Sequence, residues 1–279
     1  MRKACFDLIF IAFCFCYFKS LAADPVQDQI ELRQYYRQLF PKLSLQDYAQ
    51  GVYAIDRVAK ESWLAIEEFP PYEPAIEQGE KLFETPFKNG KHYADCLVNN
   101  GMAIANQYPE WDKRKGKVVT LAMAINDCRR LNREDPLPYE SKEIIAVQAY
   151  LAYRSRGEII SIDIPGSDPG ALAAYEQGKQ FYYRRRGRLN FACATCHVQN
   201  AGKRIRSELL SPALGQTGGW PTYRLKWGEI GSLHRRFSEC LEQIQAQPFP
   251  AQSAEYRNLE YFLSYISNGI PITGPSTRK

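Results

Sequence analysis

The chain has 279 residues, of which 45% are hydrophobic, 24% charged and 13% aromatic, a composition that excludes wholesale disorder and fibrous repeats. Its 36 lysines and arginines only slightly outnumber the 31 acidic residues, so the formal charge of +5 gives no reason to expect nucleic-acid binding. Eight cysteines are too few for a disulfide-based scaffold, yet too many to be ignored.

The amino terminus has the pattern of a cleaved export signal covering residues 1–22. Arg2 and Lys3 precede a short apolar run, and residues 20–22 place small side chains where a signal peptidase reads them. The run has about half of the ~20 residues that a membrane-spanning helix needs, which argues against an uncleaved anchor. We therefore expect a periplasmic protein without a membrane span in its mature form. Five cysteines would remain, in a compartment where disulfides persist.

The mature chain predicts an all-α fold. Alternating β patterns are nearly absent, and the stretch at residues 165–170, rich in proline and glycine, is the best candidate for a linker. We therefore predict two domains, residues 23–164 and residues 165–279. Apolar residues recur at helical spacing in residues 52–69, 75–83, 118–131, 143–153, 171–182 and 254–266.

The two predicted domains resemble each other in sequence. The tripeptide E-Q-G at residues 77–79 recurs at residues 176–178, and a constant offset of 112 residues aligns the later parts without a gap. The sequence therefore predicts an internal duplication of one small helical domain. The offset pairs Leu121 with Leu233, Cys128 with Cys240, Pro136 with Pro248, Leu151 with Leu263, Tyr153 with Tyr265, Ser155 with Ser267 and Gly157 with Gly269.

The second domain carries the C-x-x-C-H signature of haem attachment at residues 193–197. Two thiols three residues apart can add to the two vinyl groups of a porphyrin, and the adjacent histidine then coordinates the iron. A redox C-x-x-C motif is the alternative, but the thioredoxin-like βαβ pattern is missing. We therefore predict one covalent haem c on Cys193 and Cys196, with His197 as an axial ligand.

The corresponding site of the first domain is degenerate. Tyr93 and Leu97 stand where the second domain has Cys193 and His197, so we expect no haem there. Cys96 and Cys128 correspond to Cys196 and Cys240, two residues expected near the haem. Without a haem between them, Cys96 and Cys128 are expected to form a disulfide, the alternative being two buried thiols.

The second axial ligand is not a methionine, because the three methionines lie outside the second domain. The candidates are Cys240, His234 and, less favoured, Lys226. Cys240 lacks a partner, and in a helix Arg236 would share its face, stabilising a thiolate and offering a fork for an oxyanion. His234 would instead give the bis-histidine haem of a plain electron carrier.

Together these features resemble the SoxA family, the catalytic cytochrome c subunits of the SoxAX complex. The resemblance rests on C-A-T-C-H at residues 193–197, W-P-T-Y-R-L-K-W at 220–227 and R-R-F-S-E-C at 235–240. It implies two cytochrome c-like domains of the single-haem type, in which a disulfide replaces the first haem. It also implies that Cys240 is both an axial ligand and the catalytic residue, as a cysteine persulfide, and that Arg236 binds substrate.

The activity implied by this resemblance is that of L-cysteine S-thiosulfotransferase. Thiosulfate would be joined oxidatively to a cysteine of the carrier protein SoxY, and the electrons would pass through haem to SoxX, the partner in a heterodimer. The competing interpretation is a periplasmic electron-transfer cytochrome c with His234 as the ligand and no sulfur chemistry.

Overall fold

The computed structural model describes residues 24–205 and 208–278, so the predicted export signal lies outside the described residues. Within these ranges, no helix combines the length and the apolar character needed to cross a bilayer. The helices are α1 (Pro25–Leu39), α2 (Arg57–Glu67), α3 (Glu73–Glu84), α4 (Leu121–Leu131), α5 (Lys142–Tyr153), α6 (Pro169–Tyr183), α7 (Cys193–His197), α8 (Leu233–Gln243) and α9 (Ala254–Ile266).

Short strands connect the helices, so the fold is helix-rich as predicted but not purely helical. The strands form two antiparallel pairs, β1 with β2 and β3 with β4, and a three-stranded sheet in which β5 lies between β6 and β7. Their bounds are β1 (Glu110–Asp112), β2 (Lys117–Val119), β3 (Arg204–Ile205), β4 (Glu208–Leu209), β5 (Thr222–Arg224), β6 (Glu229–Gly231) and β7 (Ser276–Arg278).

Four predicted helices correspond to α3, α5, α6 and α9, but two others begin later than their apolar spacing suggests. The Asp56 carboxylate accepts a hydrogen bond from the Ala59 N–H and starts α2, while residues 46–54 form tighter 3-10 turns. The Thr120 hydroxyl accepts from the Met123 N–H and starts α4, and the residues before it pair as β2. Side-chain caps therefore set these helix starts.

Two tightly packed helix pairs, α3 with α5 and α6 with α9, form the two halves of the fold. A Cβ atom on Gly79 would lie 2.0 Å from the Ala146 carbonyl oxygen, and one on Gly178 would lie 1.9 Å from the Asn258 carbonyl oxygen. Both pairs therefore approach at backbone distance, which explains the repeated E-Q-G tripeptide.

The two halves share one local plan at the offset found in the sequence. The β1–β2 hairpin pairs Glu110 with Val119, and 112 residues later the β5–β6 hairpin pairs Thr222 with Gly231. The same offset relates the residues whose hydroxyls cap the following helices, Thr120 and Ser232 for α4 and α8, and Ser141 and Ser253 for α5 and α9.

Each half has its own hydrophobic core, but the second core extends beyond the predicted boundary. The first core packs Phe83 and Tyr93 against α4 and α5. The second core surrounds Tyr175 and Phe262, and it also includes Tyr36 of α1 and Ile160. The amino-terminal helix therefore packs on the half that contains the C-x-x-C-H motif.

Candidate functional site

The C-x-x-C-H motif forms the short helix α7. The Thr195 hydroxyl accepts a hydrogen bond from the Ala192 N–H at 3.0 Å, and the Thr195 N–H donates to the Ala192 carbonyl at 3.0 Å, which closes the turn. Cys193 and Cys196 are both free and partly exposed. The turn therefore holds two thiols three residues apart, ready to attach to a common partner.

His197 ends α7 with one ring nitrogen committed. Its Nδ1 lies 2.9 Å from the Ser211 carbonyl oxygen, which can only accept, so Nδ1 carries the proton and donates. Burial lowers the pKa of His197 to about 4, so the ring is neutral at neutral pH. Nε2 is therefore unprotonated and available to a metal, with the second ring nitrogen anchored as metal-binding histidines require.

The Tyr36 hydroxyl holds α7 in place from outside its own segment. The buried Tyr36 hydroxyl of α1 donates to the His197 carbonyl oxygen and accepts from the Ala213 N–H at 2.9 Å. This bridge connects the amino-terminal helix, the motif helix and the loop that follows it. The orientation of His197 therefore depends on residues more than a hundred positions away.

Helix α8 brings the predicted cysteine and arginine to the motif. It begins at Ser232, whose hydroxyl accepts from the Arg235 N–H, and its pitch places Arg236 and Cys240 on one face. Burial raises the pKa of the Cys193 thiol to about 12, and the nearby Cys240 adds to the rise. Arg236 acts in the opposite direction on Cys196, because its positive charge lowers the pKa of that thiol. The free thiols of α7 and α8 and the Arg236 guanidinium group are therefore close enough to influence one another's charge.

Glu239 organises three cationic side chains beside Cys240. Its carboxylate contacts the Arg236 guanidinium at 2.6 Å, the Lys226 ammonium at 2.5 Å and the Arg224 guanidinium at 3.9 Å. Burial alone would raise the pKa of Glu239, but the hydrogen bonds from Lys226 and Arg236 lower it to about 2. One carboxylate, charged at neutral pH, thus contacts three cationic side chains, and the Lys226 ammonium is engaged in an ion pair with Glu239.

Arg224 is a member of this cluster that the sequence analysis did not single out. It lies at the end of β5, and the signal available was the W-P-T-Y-R-L-K-W stretch, in which no individual residue was distinguished. Its side chain is only 12% exposed. Sequence spacing alone gave no reason to place a residue 16 positions before Cys240 beside it.

His234, the competing ligand, faces a different environment. It is buried, its Nδ1 accepts from the Gln252 N–H at 3.0 Å, and its Nε2 lies 2.9 Å from a Glu260 carboxylate oxygen. The ring stacks on Phe237 and lines a cavity shared with Thr120 of the first half. Its contacts are thus at the junction of the two halves, which favours Cys240 as the ligand.

The degenerate site of the first half is filled by protein. Cys96 and Cys128 form a disulfide with a Cα–Cα distance of 5.7 Å, so the predicted bond is present and the alternative of two free thiols is wrong. The Tyr93 ring stacks on Phe83 at 5.9 Å and meets Phe87 edge-on at 4.8 Å. Leu97 is buried in the same core.

The residues of the second half fit a covalently attached haem. They offer two free thiols on one turn, a neutral histidine with an available Nε2, and a third free thiol on α8. Across the described parts of the chain, no three His, Cys, Asp or Glu side chains form a protein-only metal site.

Comparisons with known proteins also indicate a cytochrome c-type protein. The family model of the SoxA/TsdA cytochrome c domain matches residues 78–160. The L-cysteine S-thiosulfotransferase subunit SoxA of Allochromatium vinosum is 53% identical over 258 residues, covering 92% of each chain. That of Chlorobaculum tepidum is 47% identical over 245 residues, covering 88% of this chain and 85% of the relative. A chain of the crystal structure of SoxXA from P. pantotrophus has a similar fold, with a TM-score of 0.71 and 27% identity, covering 78% of this chain and 84% of that chain.

Proposed function

Because the chain belongs to the SoxA family of L-cysteine S-thiosulfotransferase subunits, we propose that it joins thiosulfate oxidatively to a cysteine of the carrier protein SoxY. The observation that carries this proposal is the convergence of Cys240 and Arg236 of α8 on the C-x-x-C-H helix. A plain electron carrier needs no free thiol and no arginine fork at this position.

Similarity to a cytochrome c family implies covalently bound haem c. The family model matches the first half, whose motif is degenerate, so we assign a single haem to Cys193 and Cys196 of the second half, with His197 and Cys240 as axial ligands. The free Nε2 of His197 and the packing of Tyr93 and Leu97 in the first half support this assignment. Bound haem supplies a one-electron acceptor beside the reacting sulfur.

The reaction balances as an oxidation. A thiol of SoxY and the thiosulfate dianion give an S–S bond between the carrier cysteine and the outer sulfur of thiosulfate, releasing one proton and two electrons. We assign the catalytic sulfur, a cysteine persulfide, to Cys240 and the binding of the sulfonate oxygens to Arg236. The i, i+4 placement of Arg236 and Cys240 puts a sulfur and an oxyanion fork on one helix face.

The proposed partners are SoxX, in a heterodimer that receives the electrons, and SoxY as the protein substrate. The similarity to a chain of a SoxXA structure supports the first, and the names of the curated relatives support the second. The proposed location is the periplasm, after removal of residues 1–22, where the predicted disulfide would also persist.

We also infer that residues 23–164 and 165–279 derive from one duplicated cytochrome c-like domain. The shared hairpin register, the shared helix caps and the two glycine contacts support a common origin. The second core also includes Tyr36 and Ile160, which precede residue 165, so residues of the first unit pack into the core of the second.

The test uses the purified protein with SoxX, SoxY and thiosulfate. Cys240→Ala should keep covalent haem, because Cys193 and Cys196 are untouched, while changing the haem absorption spectrum and abolishing conjugation. Arg236→Ala should keep the spectrum and weaken thiosulfate binding about tenfold to a hundredfold, and Arg236→Lys should recover only part of this loss.

Two controls separate the proposal from its competitor. His234→Ala should leave the spectrum unchanged, and Arg130→Gln, which alters an exposed ion pair of the equivalent helix α4, should leave activity unchanged. A spectrum altered by His234→Ala but not by Cys240→Ala would make the bis-histidine electron carrier the better account. Intact-protein mass should show one haem, and two haems would contradict the assignment.

A further inference from the structure

The two halves form an internal comparison for the charges beside Cys240. At the offset of 112 residues, Arg224, Arg236 and Glu239 of the second half stand where the first half has Asp112, Ala124 and Asp127. In the first half, the two carboxylates share Lys115, at 3.1 Å and 2.8 Å. The same framework thus carries an acidic pair in one half and an arginine pair in the other.

The arginine pair is not needed for the fold, since the first half adopts the same hairpin and helix without it. Bringing two guanidinium groups to one carboxylate in a largely buried place costs free energy, because like charges repel where water is scarce. Of the two halves, only the second, which contains the proposed reaction site, carries this pair of arginines beside one carboxylate. The arginine pair is therefore better explained by the binding of a ligand than by a contribution to the stability of the fold.

Arg224 has unused binding capacity. Its Nε is buried and has no hydrogen-bond partner within the described ranges, and its contact with Glu239 is long, at 3.9 Å. Burial lowers the pKa of Arg224, and the neighbouring Arg236 lowers it further, while Cys240 acts in the opposite sense. The unsatisfied guanidinium group thus lies within electrostatic reach of both Arg236 and Cys240.

The backbone holds Arg224 in a fixed position. It ends β5, which is paired on one side with β6 at Glu229 and on the other with β7 at Arg278. Its guanidinium group lies over the Trp227 ring, 5.2 Å from the ring centre. A side chain on a paired strand, packed on an aromatic ring, is well suited to bind a ligand in one orientation.

We propose that Arg224 is a second substrate-binding residue, which together with Arg236 holds the sulfonate group of a sulfur oxoanion, and that Glu239 positions both guanidinium groups. The inference rests on the proposed function. Two forked donors match the three oxygens of a sulfonate, and they leave its outer sulfur facing Cys240. The Glu208 carboxylate also interacts electrostatically with both arginines. The three cations Arg224, Arg236 and Lys226 still outnumber the two carboxylates, Glu208 and Glu239.

The experiment uses the holoprotein with SoxX and SoxY, and thiosulfate as the probe. Arg224→Gln removes the charge and keeps a polar side chain, and it should raise the KM for thiosulfate about tenfold to a hundredfold with kcat changed by less than about threefold. The KM for SoxY and the haem spectrum should stay at wild-type values. Arg224→Lys should raise the KM less than Arg224→Gln, and the exposed Arg130→Gln should not raise it.

The possible results are distinguishable. An unchanged KM for thiosulfate in Arg224→Gln, with the wild-type enzyme active, overturns the role of Arg224 and leaves the proposed function standing. A raised KM for SoxY instead would make Arg224 a docking residue and also overturn the inference. If Arg224→Gln does not fold, Arg224→Lys decides, because a wild-type KM for thiosulfate in that variant refutes the two-arginine clamp. Absence of conjugation in the wild-type protein itself would count against the proposed function.

Discussion

The Cys96–Cys128 disulfide should contribute a large part of the stability of the first half. The two cysteines are 32 residues apart, and the bond lies in the core beside Tyr93 and Phe83. In the chain-entropy model, closing a loop of this length lowers the entropy of the unfolded chain by about 12 cal/mol/K, or about 4 kcal/mol at 25 °C. We therefore expect Cys96→Ala/Cys128→Ala to lower the free energy of unfolding by about 4 kcal/mol.

Urea unfolding followed by intrinsic fluorescence measures this loss, and haem absorption follows the second half separately. The fluorescence transition of the double variant should move to lower urea, while covalent haem and its spectrum stay unchanged because Cys193 and Cys196 are intact. The wild-type protein unfolded and refolded in reductant is the matched control, since it loses the bond but keeps both sulfur atoms.

Coinciding transitions of the double variant and the oxidised wild type would refute the loop-entropy argument. A shift seen in the variant but absent from the reduced wild type would also refute it, because the loss would then come from packing around Cys128, which is 4% exposed.

Two further predictions concern packing and charge. Gly178→Ala should destabilise the fold by about 1–3 kcal/mol, because its Cβ would lie 1.9 Å from the Asn258 carbonyl oxygen. Gly166→Ala, with open space around it, should change the stability by less than about 0.5 kcal/mol. Thermal unfolding compares the two variants, and equal midpoints would contradict the close helix contact. Burial would raise the pKa of Asp112, but hydrogen bonds from the Lys115 N–H and ammonium lower it. Since the folded state then binds the proton more weakly than the unfolded chain, the carboxylate stabilises the fold above about pH 4 and this stabilisation disappears as the pH falls through the folded pKa. Asp112→Asn should therefore lower the urea midpoint at pH 7 and have a smaller effect at pH 3; an equal effect at both values would exclude the charge as the cause.

Features set by neighbouring residues in the chain were predictable. Helix α9 was predicted with its observed bounds, because its apolar spacing is regular and Ser253 supplies a cap. The relation of Arg236 to Cys240 followed from helical periodicity alone once α8 was assumed to be a helix. The Cys96–Cys128 disulfide was also predictable, since the sequence duplication relates these two cysteines to Cys196 and Cys240.

Features set by distant contacts were not predictable from spacing. Helix α1 buries only Leu32 and Tyr36, so its apolar stripe is too thin to stand out from a polar segment. The strands of two or three residues are too short to show alternation. The place of Arg224 beside Arg236 arises because a hairpin and a helix fold together, and no local pattern encodes that meeting.

The anchoring of α1 on the second core constrains how the protein is made. Gln29 donates to the Tyr265 carbonyl oxygen, 236 positions along the chain, and Tyr36 donates to the carbonyl oxygen of His197. Because a chain is synthesised from its amino terminus, α1 is made long before α9, the helix on which it packs. The C-x-x-C-H segment is likewise made before α9, so the core that surrounds it can close only after the last helix has been added.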